Sequence, residues 1–147
     1  MAEFNFHKNF QGRPPPAGST LPIIQKFVQT YKLWDEFKNH FPKKSRYTLG
    51  AKIDFLFIDI IELLLIASYL GKEQKLPYLQ KAGGKLDLLK FFLQIAWEMK
   101  IIDNNKYIIL SKQLDEIGKM IGGWIKGLVY GANLLFLILI LRSKKIQ

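Results

Sequence analysis

The 147-residue chain contains no cysteine and only two histidines, His7 and His40. The lack of cysteine excludes disulfides, thiol nucleophiles and cysteine-ligated zinc or iron–sulfur clusters, and two histidines are too few for a histidine metal cluster. The first twenty residues carry Lys8, Arg13 and three consecutive prolines instead of the apolar run of a secretory signal. We therefore expect a cytoplasmic protein without a metal or cofactor.

Acidic residues are also scarce. The chain has 12 Asp and Glu against 22 Lys and Arg, a formal net charge of +10 and a pI near 9.7. A charge this large predicts association with a polyanion, either a nucleic acid or a membrane surface. The hydrophobic content of 49% is too high for an intrinsically disordered chain, and the length suits one domain.

The pattern divides the chain into three segments. Residues 1–20 read as a flexible arm, because Pro14–Pro16 favours extended backbone and no helical period is present. Phe4, Phe6 and Phe10 in this arm either dock on a groove or are simply solvated. Residues 21–129 are predicted to form a helical bundle, and residues 130–147 an apolar C-terminal extension with a basic end.

Apolar residues recur at three- and four-residue spacing in four segments, which predicts four amphipathic helices. Pro22 suits the first helical position, with Ser19 or Thr20 as its N-cap, and Gly71 offers a stop after the second helix. Short connections force antiparallel neighbours, so the sequence predicts an all-α, up-and-down antiparallel four-helix bundle. The predicted helices cover residues 22–41, 45–70, a segment from Leu76-Pro77 to about 100, and a segment that follows the Asp103–Asn105 turn and reaches Leu128.

The second predicted helix carries more apolar surface than one core needs. Phe55, Ile58, Ile61 and Leu65 lie outside its core stripe. Such a helix is expected to be covered from two sides, so these four residues are predicted to form an oligomer interface.

The C-terminal run is long and apolar. Between Met120 and Leu141 the only charge in 22 residues is Lys126, and Gly123, Gly127 and Gly131 repeat at the spacing that lets membrane helices approach closely. We expect an extra helix or strand packed in a subunit interface rather than a membrane anchor. The Arg142, Lys144 and Lys145 that follow are interpreted as a solvated tail.

Enzyme signatures are missing from the sequence. It has no Gly-x-Ser-x-Gly elbow and no helical histidine pair spaced for zinc, and Gly83-Gly84-Lys85 lacks the first glycine and the Ser or Thr of a phosphate-binding loop. The neighbouring carboxylates Asp59 with Glu62, and Asp115 with Glu116, are interpreted as ion-pairing residues. The sequence therefore predicts a protein that is not an enzyme.

The basic residues are unevenly distributed, and the densest cluster surrounds the first inter-helix loop. Lys38 to Lys52 contains no acidic residue, and Tyr47 beside Arg46 either stacks on an unpaired base or belongs to the core. Lysines also recur at helical spacing on the later helices, where a solvated face is the other interpretation. The candidate nucleic-acid-binding residues are Lys43, Lys44, Arg46, Lys52, Lys81, Lys85, Lys112, Lys119 and Lys126.

Two stretches, Phe41–Ile53 and Asp115–Lys126, resemble the accessory variability determinant proteins of diversity-generating retroelements. The resemblance runs from about residue 21 to residue 128 and extends more distantly to four-helix proteins encoded in 23S ribosomal RNA intervening sequences. It implies a four-helix bundle that assembles as a ring-shaped homo-oligomer, a pentamer, with a basic surface. The residues that match the family pattern, with an implied structural or interface role, are Arg46, Thr48, Leu49, Gly50 and Gly122–Trp124.

The implied role is that of an accessory protein which binds the element's reverse transcriptase and template RNA, or a DNA/RNA hybrid. In that role it supports mutagenic cDNA synthesis, mutagenic retrohoming and diversification of a target gene. A ribosomal-RNA-associated structural protein and, less favoured, a small membrane-anchored helical protein are the alternatives.

Overall fold

The structure, a computed structural model, describes residues 21–146, and the predicted arm at residues 1–20 lies outside the described residues. Helix α1 covers Pro22–Lys38, α2 covers Ala51–Tyr69, α3 covers Lys72–Glu98 and α4 covers Asn104–Ile146. A helical turn at Lys43–Ser45 and a π-helical turn at Arg46–Gly50 lead directly into α2. No strand occurs in this part of the chain, and the all-helical prediction is confirmed.

Three predicted helix boundaries differ from the structure. The N-cap of α1 is Leu21 rather than Ser19 or Thr20. Helix α3 begins at Lys72, so Pro77 lies inside the helix and only removes the backbone hydrogen bond that its N–H would have donated. Gly71 does separate α2 from α3, but it is an extended N-cap of α3 (φ −66°, ψ 161°) rather than a left-handed stop of α2.

The predicted turn at Asp103 caps α4. Its Oδ1 accepts a hydrogen bond of 2.9 Å from the backbone N–H of Lys106, and its carbonyl accepts one of 3.0 Å from Tyr107. An aspartate in this position satisfies N–H groups that the first helical turn leaves unpaired.

Each pair of neighbouring helices is joined by a lysine–carboxylate ion pair. Lys38 pairs with Asp54 across α1 and α2, and Lys85 with Asp59 across α2 and α3. Across α3 and α4, and across α4 and α1, the ion pairs are Lys90–Asp115 and Lys26–Glu116. With the short loops, these pairs describe an antiparallel up-and-down bundle in which each helix touches two neighbours. The first and third loops therefore lie at one end, called the loop end below.

The apolar stripes predicted for the four helices form the core. Most of their members are fully buried, and a few, such as Tyr31 and Phe92, are half-buried against it. Ile66 of α2 is also buried. The largest buried side chains are Trp34, Phe27, Phe57, Ile53, Ile60, Leu64, Leu79, Leu86, Leu89, Leu93, Leu110 and Leu114.

Aromatic rings hold α1 against α2. Phe57 of α2 lies with its ring centroid 5.4 Å from Phe27, 5.5 Å from Tyr31 and 6.2 Å from Trp34. Phe41, in the loop that follows α1, meets Trp34 edge-on at 5.2 Å. These contacts bury large rings at favourable geometry and fix the path of the first loop over the helix ends.

A polar anchor adjoins this aromatic cluster. Trp34 Nε1 donates a 2.7 Å hydrogen bond to Asp54 Oδ1, and Lys38 Nζ donates one of 2.6 Å to Asp54 Oδ2. Burial lowers the pKa of Lys38, but the hydrogen bonds and attraction of Asp54 and Asp35 outweigh it, so the net pKa is raised. The pKa of Tyr31 is also raised, first by burial and then by the charge of Asp54.

The C-terminal run is not a separate helix or strand. Helix α4 continues without a break through residues 129–146, past the end of the bundle opposite the loop end. The side chains from Leu134 to Leu139 are 41–65% exposed. Gly123, Gly127 and Gly131 have open space where a Cβ would stand, so no other helix of the described chain packs against them. The predicted packing in a subunit interface stays a prediction.

We expect Asp54→Asn to lower the free energy of unfolding by about 2 kcal/mol near neutral pH, because Lys38 loses its charged partner. A lysine or tyrosine with a raised folded-state pKa stabilises the fold below its unfolded pKa, and that contribution is lost as the pH rises through the folded pKa. Asp54 helps to raise the pKa of both Lys38 and Tyr31. The difference between wild type and variant should therefore shrink above about pH 10.

Urea unfolding over a series of pH values measures this difference. Asp87→Asn is the matched control, because Asp87 is exposed and forms no ion pair within residues 21–146. It should leave both the stability and its pH dependence unchanged. A deficit of Asp54→Asn that stays constant at alkaline pH would contradict the assignment.

Candidate nucleic-acid interface

The first three predicted binding residues lie together at the loop end. Lys43 and Lys44 form the first exposed turn that leads into α2, and neither forms an ion pair within the described chain. Their backbone N–H groups are at a helix start, where the positive end of the helix dipole adds to the side-chain charge. Both side chains are therefore available to a polyanion.

Arg46, the third member, is used differently. Its guanidinium Nη2 donates hydrogen bonds to the carbonyls of Asn39 (3.2 Å) and Phe41 (3.1 Å), and its Nε is buried without a partner in the described chain. Arg46 therefore closes the loop after α1 by satisfying carbonyls at the end of that helix. These hydrogen bonds favour a structural role for Arg46 over a direct contact with phosphate.

Tyr47 is 72% exposed, which excludes the core interpretation of this residue. It stands in the π-helical turn Arg46–Gly50, which leads into α2. An exposed ring beside Lys43 and Lys44 is the arrangement that stacks an unpaired base between cations.

The third loop brings further basic residues to the same end. Lys100 adopts a left-handed backbone (φ 59°), and hydrogen bonds from the N–H groups of Lys100 to Trp97 and of Ile101 to Ala96 end α3 in a Schellman motif. Lys106 lies in the first turn of α4, with Nζ 5.4 Å from the ring centroid of Phe37 and 3.7 Å from Asp103.

An open groove of about 520 Å³ lies between the first and third loops. His40, Lys100 and Lys106 supply its basic groups. Trp97 supplies an aromatic face that is 38% exposed and stacks on Tyr107 at 5.1 Å, with an interplanar angle of 12°. We define the loop-end cluster as His40, Lys43, Lys44, Tyr47, Trp97, Lys100 and Lys106.

Of the remaining predicted residues, Lys52 lies in the first turn of α2, at the loop end, and the others lie elsewhere. Lys85 is paired with Asp59 at 2.8 Å, and Lys52 Nζ lies 6.0 Å from the ring centroid of Phe92. Lys81 is exposed on α3. Lys81 and Lys85 lie at least 13 residues before the last residue of α3, roughly 20 Å or more from the loop end.

Lys112, Lys119 and Lys126 follow one exposed edge of α4. At about 1.5 Å per residue the last two lie roughly 22 and 33 Å from the start of α4 at the loop end. The intervening Asp115 and Glu116 are neutralised by Lys90 and Lys26. This edge is therefore a second, separate basic stripe.

Sequence reasoning did not count His40 as a binding residue, although it lies within the first basic segment, and it missed Trp97, Lys100 and Lys106, which are distant from that segment along the chain. The predicted topology could have identified the residues of the third loop. In an up-and-down bundle the first and third loops share an end, so the basic residues of both loops should have been considered together.

A family model described as bAvd-like matches residues 21–128 of this chain. The match covers the bundle and stops where α4 leaves it. A search of curated proteins found no match.

We expect the double variant Lys43→Glu, Lys44→Glu to bind single-stranded RNA at least roughly tenfold more weakly at moderate salt, because two phosphate-neutralising groups become repulsive. The slope of log affinity against log salt should fall by about 0.7 for each phosphate that the protein no longer neutralises. Fluorescence anisotropy with a labelled RNA at several salt concentrations measures both quantities.

The charge-matched control is Lys32→Glu with Lys72→Glu. Both lysines are exposed and lie away from the loop end, on α1 and at the start of α3. If the control weakened binding as much as the test variant, the effect would follow net charge and not the loop-end cluster.

Proposed function

This chain belongs to the bAvd-like family, and from that membership we propose that it is a non-catalytic accessory protein of a diversity-generating retroelement. In this role it binds the element's template RNA and its reverse transcriptase in the cytoplasm, so that the polymerase makes mutagenic cDNA for a target gene. The chemistry takes place in the polymerase. This protein supplies binding surfaces.

The observation that carries the RNA part of the proposal is the distribution of ion pairs. Six carboxylates of the described chain are paired with five lysines, mostly along the seams between helices. The excess positive charge therefore remains on solvent-facing lysines, and the loop-end cluster combines three of them, Lys43, Lys44 and Lys100, with exposed aromatic rings. Cations that track a backbone and rings that stack on bases are what single-strand binding requires.

An exposed apolar patch on α2 and α3 supports an oligomer. Phe55 lies one helical turn from both Lys52 and Asp59, which reach across to Phe92 and Lys85 of α3. Leu88 stands between Lys85 and Phe92 on α3 in the same way, so Phe55 and Leu88 flank one outer groove.

We define the α2–α3 patch as Phe55, Ile58, Leu88 and Phe91, which are 47–65% exposed. Of the four interface residues predicted from sequence, Phe55 and Ile58 belong to the patch, whereas Ile61 and Leu65 are half-buried against the core. Leu88 and Phe91 were missed, although the adjacent doublets Leu88-Leu89 and Phe91-Phe92 exceed what one core stripe needs.

A closed ring with five-fold symmetry joins two different surfaces of each subunit. The α2–α3 patch is our proposal for one of them. Ile108 and Ile109, exposed on α4, are our proposal for the other. A ring built in this way multiplies the positive charge of the chain and presents five loop-end clusters to one RNA.

If the α2–α3 patch is an oligomer interface, it determines the mass of the protein in solution. The full chain should have a mass in solution five times its 17.1 kDa, and Phe55→Asp with Phe91→Asp should reduce it to the monomer mass, because two charges cannot be buried in an apolar contact. Light scattering after size-exclusion chromatography measures the mass. Gln29→Asp with Gln80→Asp adds the same charge at exposed positions on α1 and α3 and should leave the oligomer intact.

The accessory role itself is tested by co-expression with the reverse transcriptase and template RNA of the same element. Affinity purification of this protein should recover both, and the polymerase should make template-primed cDNA only when this protein is present. Equal cDNA yield without the protein would refute the role. Recovery of ribosomal RNA instead of template RNA would favour the structural alternative.

A further inference from the structure

The last eighteen described residues of α4 have no partner in the bundle. Trp124 still contacts α3, with its ring centroid 5.2 Å from Lys75 Nζ. Leu128 is the last residue that packs against the core. From Val129 onward the helix continues alone for about 27 Å.

Part of this projecting segment is apolar on every side. Residues 134–141 are eight consecutive apolar residues, and successive side chains on an α-helix are rotated by about 100°, so they cover the full circumference. An 18-residue window of α4 is apolar and long enough to cross a membrane, and none of that window is buried in the protein. A core helix of a soluble bundle passes the same composition test, but it would be covered by neighbouring helices.

We propose that residues 127–141 insert into the hydrocarbon of a lipid bilayer and anchor the bundle to a membrane. A bilayer is the environment that covers a helix on all sides at once. The proposal concerns a segment beyond the family match and does not depend on RNA binding.

The charged residues at the two ends of the segment fit this placement. Lys126 precedes it, and Arg142, Lys144 and Lys145 follow it. The helix between Lys126 and Arg142 is about 24 Å long, somewhat shorter than a hydrocarbon core of about 30 Å. A short span is accommodated by local thinning and by basic side chains that extend to the lipid phosphates.

The position of the exposed Tyr130 is consistent with the proposed depth of the segment in the bilayer. Tyr130 is 63% exposed near the bundle side of the segment, and Lys126 Nζ lies 5.8 Å from its ring centroid. Amphipathic rings beside basic groups are typical of the membrane–water interface. Residues 134–141, by contrast, are all Leu, Phe or Ile, and Asn133 is the one polar side chain near the centre of the segment.

A second copy of this chain would cover less of the helix. Helices that associate in water bury one stripe and keep polar residues on the opposite face. Here Asn133 and the hydroxyl of Tyr130 are the only polar side-chain groups in residues 127–141, so an assembly in water would leave the outer face of each helix apolar and exposed.

Flotation with vesicles of phosphatidylcholine alone tests the proposal on the full chain. The protein should rise with the vesicles in high salt and should resist extraction with alkaline carbonate, because the attraction is hydrophobic and needs no anionic lipid. Leu135→Lys with Leu137→Lys should reduce the partition into vesicles by roughly a hundredfold or more, since each lysine is placed near the middle of the hydrocarbon.

Gln29→Lys with Gln80→Lys is the matched control. It adds the same charge at exposed bundle positions and should float like the wild type. Circular dichroism checks that both variants keep the helical bundle. We expect both to fold, because all four substituted positions are exposed.

Two results would overturn the proposal. Binding only to vesicles that contain phosphatidylglycerol, and only at low salt, would mean surface attraction of the basic residues without insertion. A protein that stays in the dense fraction, and whose oligomeric mass falls when residues 129–147 are deleted, would identify a second copy as the occupant. Neither result would bear on the accessory role, which is measured by RNA recovery and cDNA yield.

Discussion

Burial of one apolar stripe from each of four helices is the constraint on which this structure depends. A chain with a net charge of +10 repels itself, and only the removal of large side chains such as Trp34, Phe57 and Leu110 from water offsets that repulsion and the loss of chain entropy. The polar groups then decide how the stripes meet. One lysine–carboxylate pair at each seam is consistent with only one register of neighbouring helices, although exposed pairs of this kind add little stability.

The same seams determine where positive charge remains. Carboxylates such as Asp59 and Glu116 are used between helices, so few are left to neutralise the loop end or the outer edge of α4. The basic surface of this protein is thus a product of how its few acids are placed. Family membership and this surface both support the proposal of a protein that holds a polyanion for an enzyme.

Much of the fold was predictable from the sequence. The period of 3.6 residues in Ile23, Phe27, Thr30 and Trp34 indicates an amphipathic helix whatever that helix packs against. The boundaries were less so. Pro77 suggested a helix start, yet a proline near the beginning of a helix removes only one backbone hydrogen bond, and α3 begins five residues earlier. The candidate site was only partly predictable. Lys43 and Lys44 were found from charge alone, whereas the guanidinium of Arg46 is hydrogen-bonded to two backbone carbonyls. Lys100 and Lys106 lie at the site only because the fold brings the third loop beside the first.

Helix α4 is a single rod of 43 residues, about 64 Å long, that takes part in the bundle at one end and projects from it at the other. No proline interrupts it. Because the helix is uninterrupted, a surface that binds its C-terminal end also fixes the angle of the whole bundle relative to that surface. It further sets a distance of about 33 Å, the length from Asn104 to Lys126, between that surface and the loop end, where we propose that nucleic acid binds.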